Sequence, residues 1–514
     1  MMGTTGRLWS NWWASPSLGL ACGATLILAL CIALPVAHSM ALAVWFAAEV
    51  CWWFVVKLRF IPRLVNFRPE DASVPMSRQS FVTAIDNVVF LLKKDAPTFW
   101  LRVTGTRLAQ VPRSVGRGLL KSLLFVSQGD FSSEAMLEEG LRRLEIECAA
   151  FSDVADCAVG SDEHCSPLPP NLIQGWVDDE HLESIVRSTP LVVSAASLAS
   201  SWVTATVLRA FGWQEGPTHE ASGVRCWVLR PPAASLPSAP PPPSLVLLPG
   251  AGNGLLSFMP LALLFQRRLP GTTIVLFRLS HVEVGRPWTP LPQWSDIVAG
   301  LLEGLRELEV RHCDVVAHSY GTAVANRLLR ELCLDRRHSS SKALGSDGED
   351  AAESLPVIGF LGLIDPITLG GATTGLVGII NQQGPDLSFA FCANRAGVTQ
   401  KEIMDFDPTL AGQCLGRPLA STSCRGAGVR VFLSEGDVLL DVPLARSILN
   451  RFVPGAVLEV DSRPKSFHGC WLVELWMGGQ WLWEAPGASR CIGLMLHGLG
   501  HAPKLDTQIT KVVN

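Results

Sequence analysis

Charge is scarce in this chain. Only 17% of its 514 residues are Asp, Glu, Lys or Arg, and they leave a formal net charge of −4, so the basic footprint that a nucleic-acid partner requires is missing. Partners of that class are set aside. Also missing is any Cys-x-x-Cys pair: fourteen cysteines are scattered from Cys22 to Cys491, which points away from a zinc ribbon or a redox dithiol. The loosest approach to a cluster, Cys148, Cys157 and Cys165 beside His164, reads as buried or free thiols rather than a metal site. No metal and no cofactor is expected. Unpaired thiols in that number suit a reducing compartment. No internal repeat is visible, and the chain has a single tyrosine, Tyr320.

Apolar residues, by contrast, make up 48% of the sequence, and the mean hydropathy of +0.28 is high for a soluble protein. The reason lies at the amino end. Leu18 to Ala37 carries no charge over twenty residues, about the length a helix needs to cross a bilayer core. A second apolar stretch, Ala41 to Val56, holds Glu49; a carboxylate costs a few kcal/mol or more inside a membrane unless paired, so this stretch reads as a second span or as a helix at the interface. From Lys57 to Lys121 there are twelve Lys or Arg against four Asp or Glu, which places that flank on the cytosolic side. A cleaved signal peptide ending near Ser39 is the competing reading. The expectation is a membrane-anchored chain, most simply in an endomembrane, with its main domain in the cytosol.

Residues 66–215 alternate helical patterns with polar linkers. The last of these patterns, Leu191 to Phe211, is nearly uncharged yet rich in Ser and Thr, and reads as a packed helix ahead of another span. The proline-rich connector Arg230 to Pro243 suits a surface loop between strands. Beyond it, wholly apolar strand patterns ("SLVLLPG", "TTIVLFRL", "CDVVAHS", "VIGFLGLID", "VRVFLSEGD", "AVLEVDS") are separated by amphipathic helical ones, the signature of a parallel sheet buried on both faces. Polar residues 335–355 read as an insertion, and 366–428, with glycines among apolar residues, as a mobile cover.

Ser319 stands where the apolar run Val315, Val316, Ala317 stops and the helical spacing of Val324, Leu328 and Leu329 begins. Ala317 and Gly321, two positions either side, permit a turn sharp enough to hold a side chain in a strained conformation. No other serine in the chain has Gly or Ala two residues before it and Gly two residues after.

The order strand, glycine turn, strand, serine elbow, Asp, His resembles the α/β-hydrolase superfamily over about Val224 to Trp476. "AHSYGTAVANRLL", "LGLIDPIT" and "LSEGDVLLDVP" further resemble poorly characterised membrane-associated eukaryotic members. The implied fold class is α/β: an α/β-hydrolase fold with a mostly parallel central sheet, after transmembrane segments and a helical region. The domains expected are a membrane anchor (1–65), the helical region (66–215), the hydrolase domain (216–490) and a tail (491–514).

A serine hydroxyl is a weak nucleophile at neutral pH, and needs a base in hydrogen-bond reach and an anion to orient that base. His468, in a loop after the strand "AVLEV", is the candidate base, since catalytic groups gather at the carboxyl ends of such strands. His497 and His501 are runners-up. Asp437, after "VRVFL", matches the family's position for the acid, and Asp365 in "LIDP" is the alternative. The oxyanion donors expected are the backbone N–H groups of Tyr320 and Ala251. Pro249-Gly250 stands where the family usually has His-Gly. The reading is a serine hydrolase cleaving an ester, thioester or amide, with a small-molecule or lipid acyl substrate. An acyltransferase, or a non-catalytic scaffold of the same fold at the membrane, are the alternatives.

Overall fold

The computed structural model describes residues 36–60, 78–104, 110–113, 116–117, 120, 131–152, 190–231, 242–252, 254–283, 286, 288–289, 292–342, 355–367, 428–437, 440, 442–452, 456–463, 466, 469–477 and 486–499. The Leu18–Ala37 span is almost wholly outside them, as are His164, Cys157, Cys165, His468, His501 and most of the expected insertion and cover.

Among the described residues, the α-helices before the sheet are α1 (Val36–Val55), α2 (Arg78–Thr104), α3 (Phe131–Cys148) and α4 (Leu191–Ala210). Pro97 lies inside α2, and the helix kinks just before it at Asp95 (φ −163°, ψ 85°), because proline cannot donate to the preceding turn. Guanidinium groups tie the next connection to α3: Arg113 meets Glu145 at 2.5 Å and Arg117 meets Glu134 at 2.6 Å.

The centre is an eight-stranded sheet of β1 (Gln214–His219), β2 (Val224–Leu229), β3 (Ser244–Leu248), β4 (Ile274–Leu279), β5 (His312–His318), β6 (Val357–Ile364), β7 (Val429–Ser434) and β8 (Val457–Asp461). In space the order is β8-β7-β6-β5-β3-β4-β2-β1. All neighbours are parallel except β1–β2 and β2–β4. This is the expected α/β-hydrolase fold with its mostly parallel sheet.

Alternate side chains feed opposite layers, as the pleat dictates. Val246, Val315, Ala317, Val431 and Leu433 face a core shared with α6 (Trp294–Glu307), α7 (Tyr320–Lys342), α8 (Val442–Phe452) and the amino-terminal helices. Leu247, Val316 and Phe432 face the other, formed with α4, α5 (Leu255–Arg268), α9 (Cys470–Met477) and α10 (Pro486–Gly498). Two boundaries differ from expectation. Helix α7 continues to Lys342, into the segment read as an insertion, and α10 runs through residue 491, where the tail was expected to begin, because Cys491 and Met495 are fully buried against the sheet.

Candidate active site

Ser319 occupies the turn between β5 and α7 with φ +50°, one of four non-glycine residues of positive φ among those described. The strain is held by bonds on both sides: its N–H donates to Ile364 O at 3.0 Å and its carbonyl accepts from the Thr322 N–H at 2.9 Å. Gly321 explains the second small residue. A Cβ there would collide with the Leu248 carbonyl oxygen and come within 2.8 Å of that of Pro249. The elbow is therefore pressed onto the end of β3.

That contact brings the glycine turn to the serine. A Cβ on Gly250 would lie 3.0 Å from Ser319 Cβ and 2.9 Å from His318 Nδ1. Gly252 spends its own N–H on Val282 O at 3.0 Å, while Ala251, the expected second donor, lies between the two glycines. Tyr320, the expected first donor, opens α7 and is fully buried. Its hydroxyl is 2.9 Å from His281 Nε2, and its ring stacks on Trp294 at 6.1 Å. The lone tyrosine thus braces the elbow from beneath. Burial lowers the His281 pKa to about 3, so this imidazole is neutral at ordinary pH.

Both acids sit at carboxyl ends of neighbouring strands. Asp437 follows β7 and is buried; its N–H donates to Ser434 O at 3.0 Å, and its Oδ1 accepts from the Leu440 N–H at 3.2 Å. Asp365 follows β6, is wholly buried and has φ +43°. Its Oδ1 accepts from the Ser434 N–H at 2.8 Å, and its Oδ2 from Ser434 Oγ at 3.1 Å and the Gly469 N–H at 3.0 Å. Asp365 thus joins the end of β7 to the loop after β8.

His468 itself lies outside the described residues, but the loop on either side of it is fixed. Ser466 Oγ accepts from the Gly436 N–H at 3.2 Å and donates to Asp461 O at 2.8 Å. A Cβ on Gly436 would strike the Ser466 carbonyl, so Gly436 is what lets the acid-bearing turn and this loop touch. On the far side, a Cβ on Gly469 would be 3.4 Å from His318 Nε2. Of the described residues flanking this position, Ser466 touches the turn that bears Asp437 and Gly469 lies beside the residue preceding Ser319.

The runner-up His497 is engaged elsewhere. Its Nδ1 is 2.7 Å from Arg430 Nη2, and Arg430 lies four residues before Ser434, about 13 Å back along the strand at the usual rise. His318 was not singled out from the sequence; its ring lies 6.1 Å from Phe258 and 5.5 Å from Trp471. Its only sequence signal was its position beside the serine. Among the described residues no group of three or more His, Cys, Asp or Glu is placed to hold a metal.

Residues 245–489 match the alpha/beta hydrolase family. No curated protein matches the chain. Among solved structures it is similar to the carboxylesterase CesB of Bacillus subtilis, at 12% identity over 59% of this chain and 98% of that one, with a TM-score of 0.31. It is also similar to the esterase LipW of Mycobacterium marinum, at 16% identity over 61% and 88%, TM-score 0.34. A third, the naproxen esterase of Bacillus subtilis, shares 15% identity over 54% and 90%, TM-score 0.29. The narrower resemblance to membrane-associated eukaryotic members has no support among these.

Proposed function

Because residues 245–489 match the alpha/beta hydrolase family, we propose that the chain is a serine hydrolase that cleaves an ester, thioester or amide through an acyl-enzyme on Ser319. The observation that carries this reading is the elbow: a strained, positive-φ serine on which the glycine turn of β3 closes. In this mechanism the Ser319 hydroxyl attacks the acyl carbon while His468 takes its proton, and Asp437 orients the imidazole and stabilises its charged form. The Ala251 and Tyr320 N–H groups hold the developing oxyanion. His468 then protonates the leaving group, and water attacks the acyl-enzyme by the reverse path. An alcohol in place of water would make the same residues an acyltransferase.

The segments 18–37 and 41–56 hold this domain at a membrane with the basic flank in the cytosol, so a hydrophobic acyl substrate suits it. A scaffold without catalysis draws its support from Pro249 standing where the family's histidine usually does. Treating membranes that contain the protein with a fluorophosphonate probe separates the two readings. Labelling that disappears in Ser319→Ala supports the hydrolase; absence of Ser319-dependent labelling in folded protein overturns it in favour of the scaffold.

A further inference from the structure

Helix α4 is built inside out. Ser194, Ser197, Ser201 and Thr204 recur at helical spacing and form the stripe that is buried or half-buried, whereas Val192, Leu198, Trp202 and Val203 are exposed, Trp202 at 70%. An ordinary surface helix shows the opposite arrangement. One residue of the inward stripe ties it to the domain: Ser201 Oγ accepts from Arg278 Nη2 at 2.9 Å and also from Arg286, and both guanidinium groups pair with the buried Glu283, at 2.7 and 2.6 Å. At its carboxyl end Leu208 enters the sheet core. The helix is thus docked lengthwise on the hydrolase domain, although it is long and apolar enough to cross a bilayer and only 17% of that apolar window is buried.

Helix α1 packs beside α4 and carries exposed apolar side chains of its own. Trp45, Phe46, Trp53 and Phe54 are exposed, with Leu58 just beyond at 74%. The only carboxylate in α1, Glu49, does not interrupt this surface, because both its oxygens accept from the Leu191 N–H that opens α4, at 2.8 and 3.0 Å. One acidic side chain so satisfies the orphan donor at the start of α4 and leaves the outward faces free of negative charge. Cations stand at the rim: Lys57, its ammonium 4.9 Å from the Trp53 ring, then Arg59, while Arg209 at the end of α4 is paired with Glu215 at 2.6 Å.

We propose that α4 lies in the plane of a bilayer surface, its polar stripe on the hydrolase domain and its apolar stripe, with that of α1, in the acyl-chain boundary. An uncharged apolar face carrying indoles and bordered by Lys and Arg fits an anionic lipid interface. A docked α4 cannot also cross, since spanning would strip Ser201 from both arginines. This inference shares with the proposed function only the presence of a membrane, and does not depend on the chemistry at Ser319.

The test uses the full chain in vesicles of phosphatidylcholine and phosphatidylserine, with a photoreactive benzophenone amino acid in place of Val192, Leu198 or Trp202, and Val357, exposed at the start of β6, as control. The three α4 positions should form lipid adducts at least tenfold above the control. They should all react with lipid labelled near the glycerol backbone, although the first and last are separated by about 15 Å of helix. Adducts at graded depths would mean that α4 spans, and would overturn the in-plane arrangement. Cross-links to a second copy, to the chain's own residues 1–35 or to another protein would each show a different occupant and equally overturn it, as would a lipid yield no higher than the control. Fluorophosphonate labelling of Ser319 in the same vesicles reports separately on the catalytic reading.

Discussion

Asp365 and Asp437 invite a test that separates a brace from a catalytic acid. In Asp365→Asn the side chain keeps its shape but offers one acceptor oxygen and one NH2 where two acceptors stood. If the oxygen remains at the Oδ1 position it still serves the Ser434 N–H, and the new NH2 then faces the Gly469 N–H; the reversed amide leaves the Ser434 N–H unserved. Ser434 Oγ can turn to accept, but a backbone N–H cannot. One buried donor is thus orphaned in either orientation, at a cost of about 1–3 kcal/mol. For a domain of this size that corresponds to a fall in melting temperature of about 2–4 °C per kcal/mol, and a loosened Gly469 carries the neighbouring His468 out of position. Asp437→Asn is expected to behave the other way round, lowering kcat by about 10⁴-fold, as loss of the orienting carboxylate does in serine hydrolases, with a much smaller change in melting temperature. Differential scanning fluorimetry and hydrolysis of a p-nitrophenyl ester measure the two effects. If Asp365→Asn silenced the enzyme at unchanged melting temperature while Asp437→Asn merely destabilised it, the roles would be exchanged and the reasoning refuted.

Gly250→Ala should lower kcat by about 10²–10³-fold with little change in KM, because the new methyl pushes the turn off Ser319 and displaces the Ala251 N–H; steady-state kinetics with unaltered kcat would contradict this. Gly321→Ala, whose methyl meets backbone carbonyls on β3, should cost about 1–3 kcal/mol of stability by overpacking, read by urea unfolding. The folded-state pKa of His281, about 3, lies below the unfolded value, so its contribution to stability is complete above about pH 6.5 and is lost as pH falls, at up to about 1.4 kcal/mol per pH unit; His281→Gln should flatten that part of the pH–stability curve. Burial pushes the Cys226 and Cys313 thiols up to about 12, so in native protein at pH 8 iodoacetamide should spare both and modify them only once the domain is unfolded.

The sheet was legible because each of its parallel strands is apolar on both faces, and Val429–Ser434, buried throughout, leaves no other placement. The elbow was legible because Ala317, Ser319 and Gly321 are a local pattern with a local cause. Asp365 was harder to read. A carboxylate at a strand end looks the same in sequence whether it orients an imidazole or gathers backbone N–H groups, and its donors, Ser434 and Gly469, are 69 and 104 residues away. Helix α4 was read as packed, and one stripe of it is, but seryl side chains facing inward can be recognised only when Arg278 and Arg286 are seen opposite them. Periodicity reports that two faces differ, not which of them is turned to water.

The missing histidine before Gly250 takes on a different meaning in three dimensions. Pro249 stands where the family usually has histidine, yet an imidazole does stand against the glycine turn, supplied by the elbow itself. The His318 ring touches the Gly250 position through Nδ1 and the Gly469 position through Nε2, and is confined between Phe258 and Trp471. A side chain at Gly250 would displace this ring, whereas Gly469, whose Cβ would make only ordinary contact with it, is held to glycine by its φ of +70°. Proline at position 249 stiffens the approach to Gly250. An imidazole therefore stands against the glycine turn although position 249 is proline, which weakens the case that the departure from the family pattern marks a scaffold without chemistry.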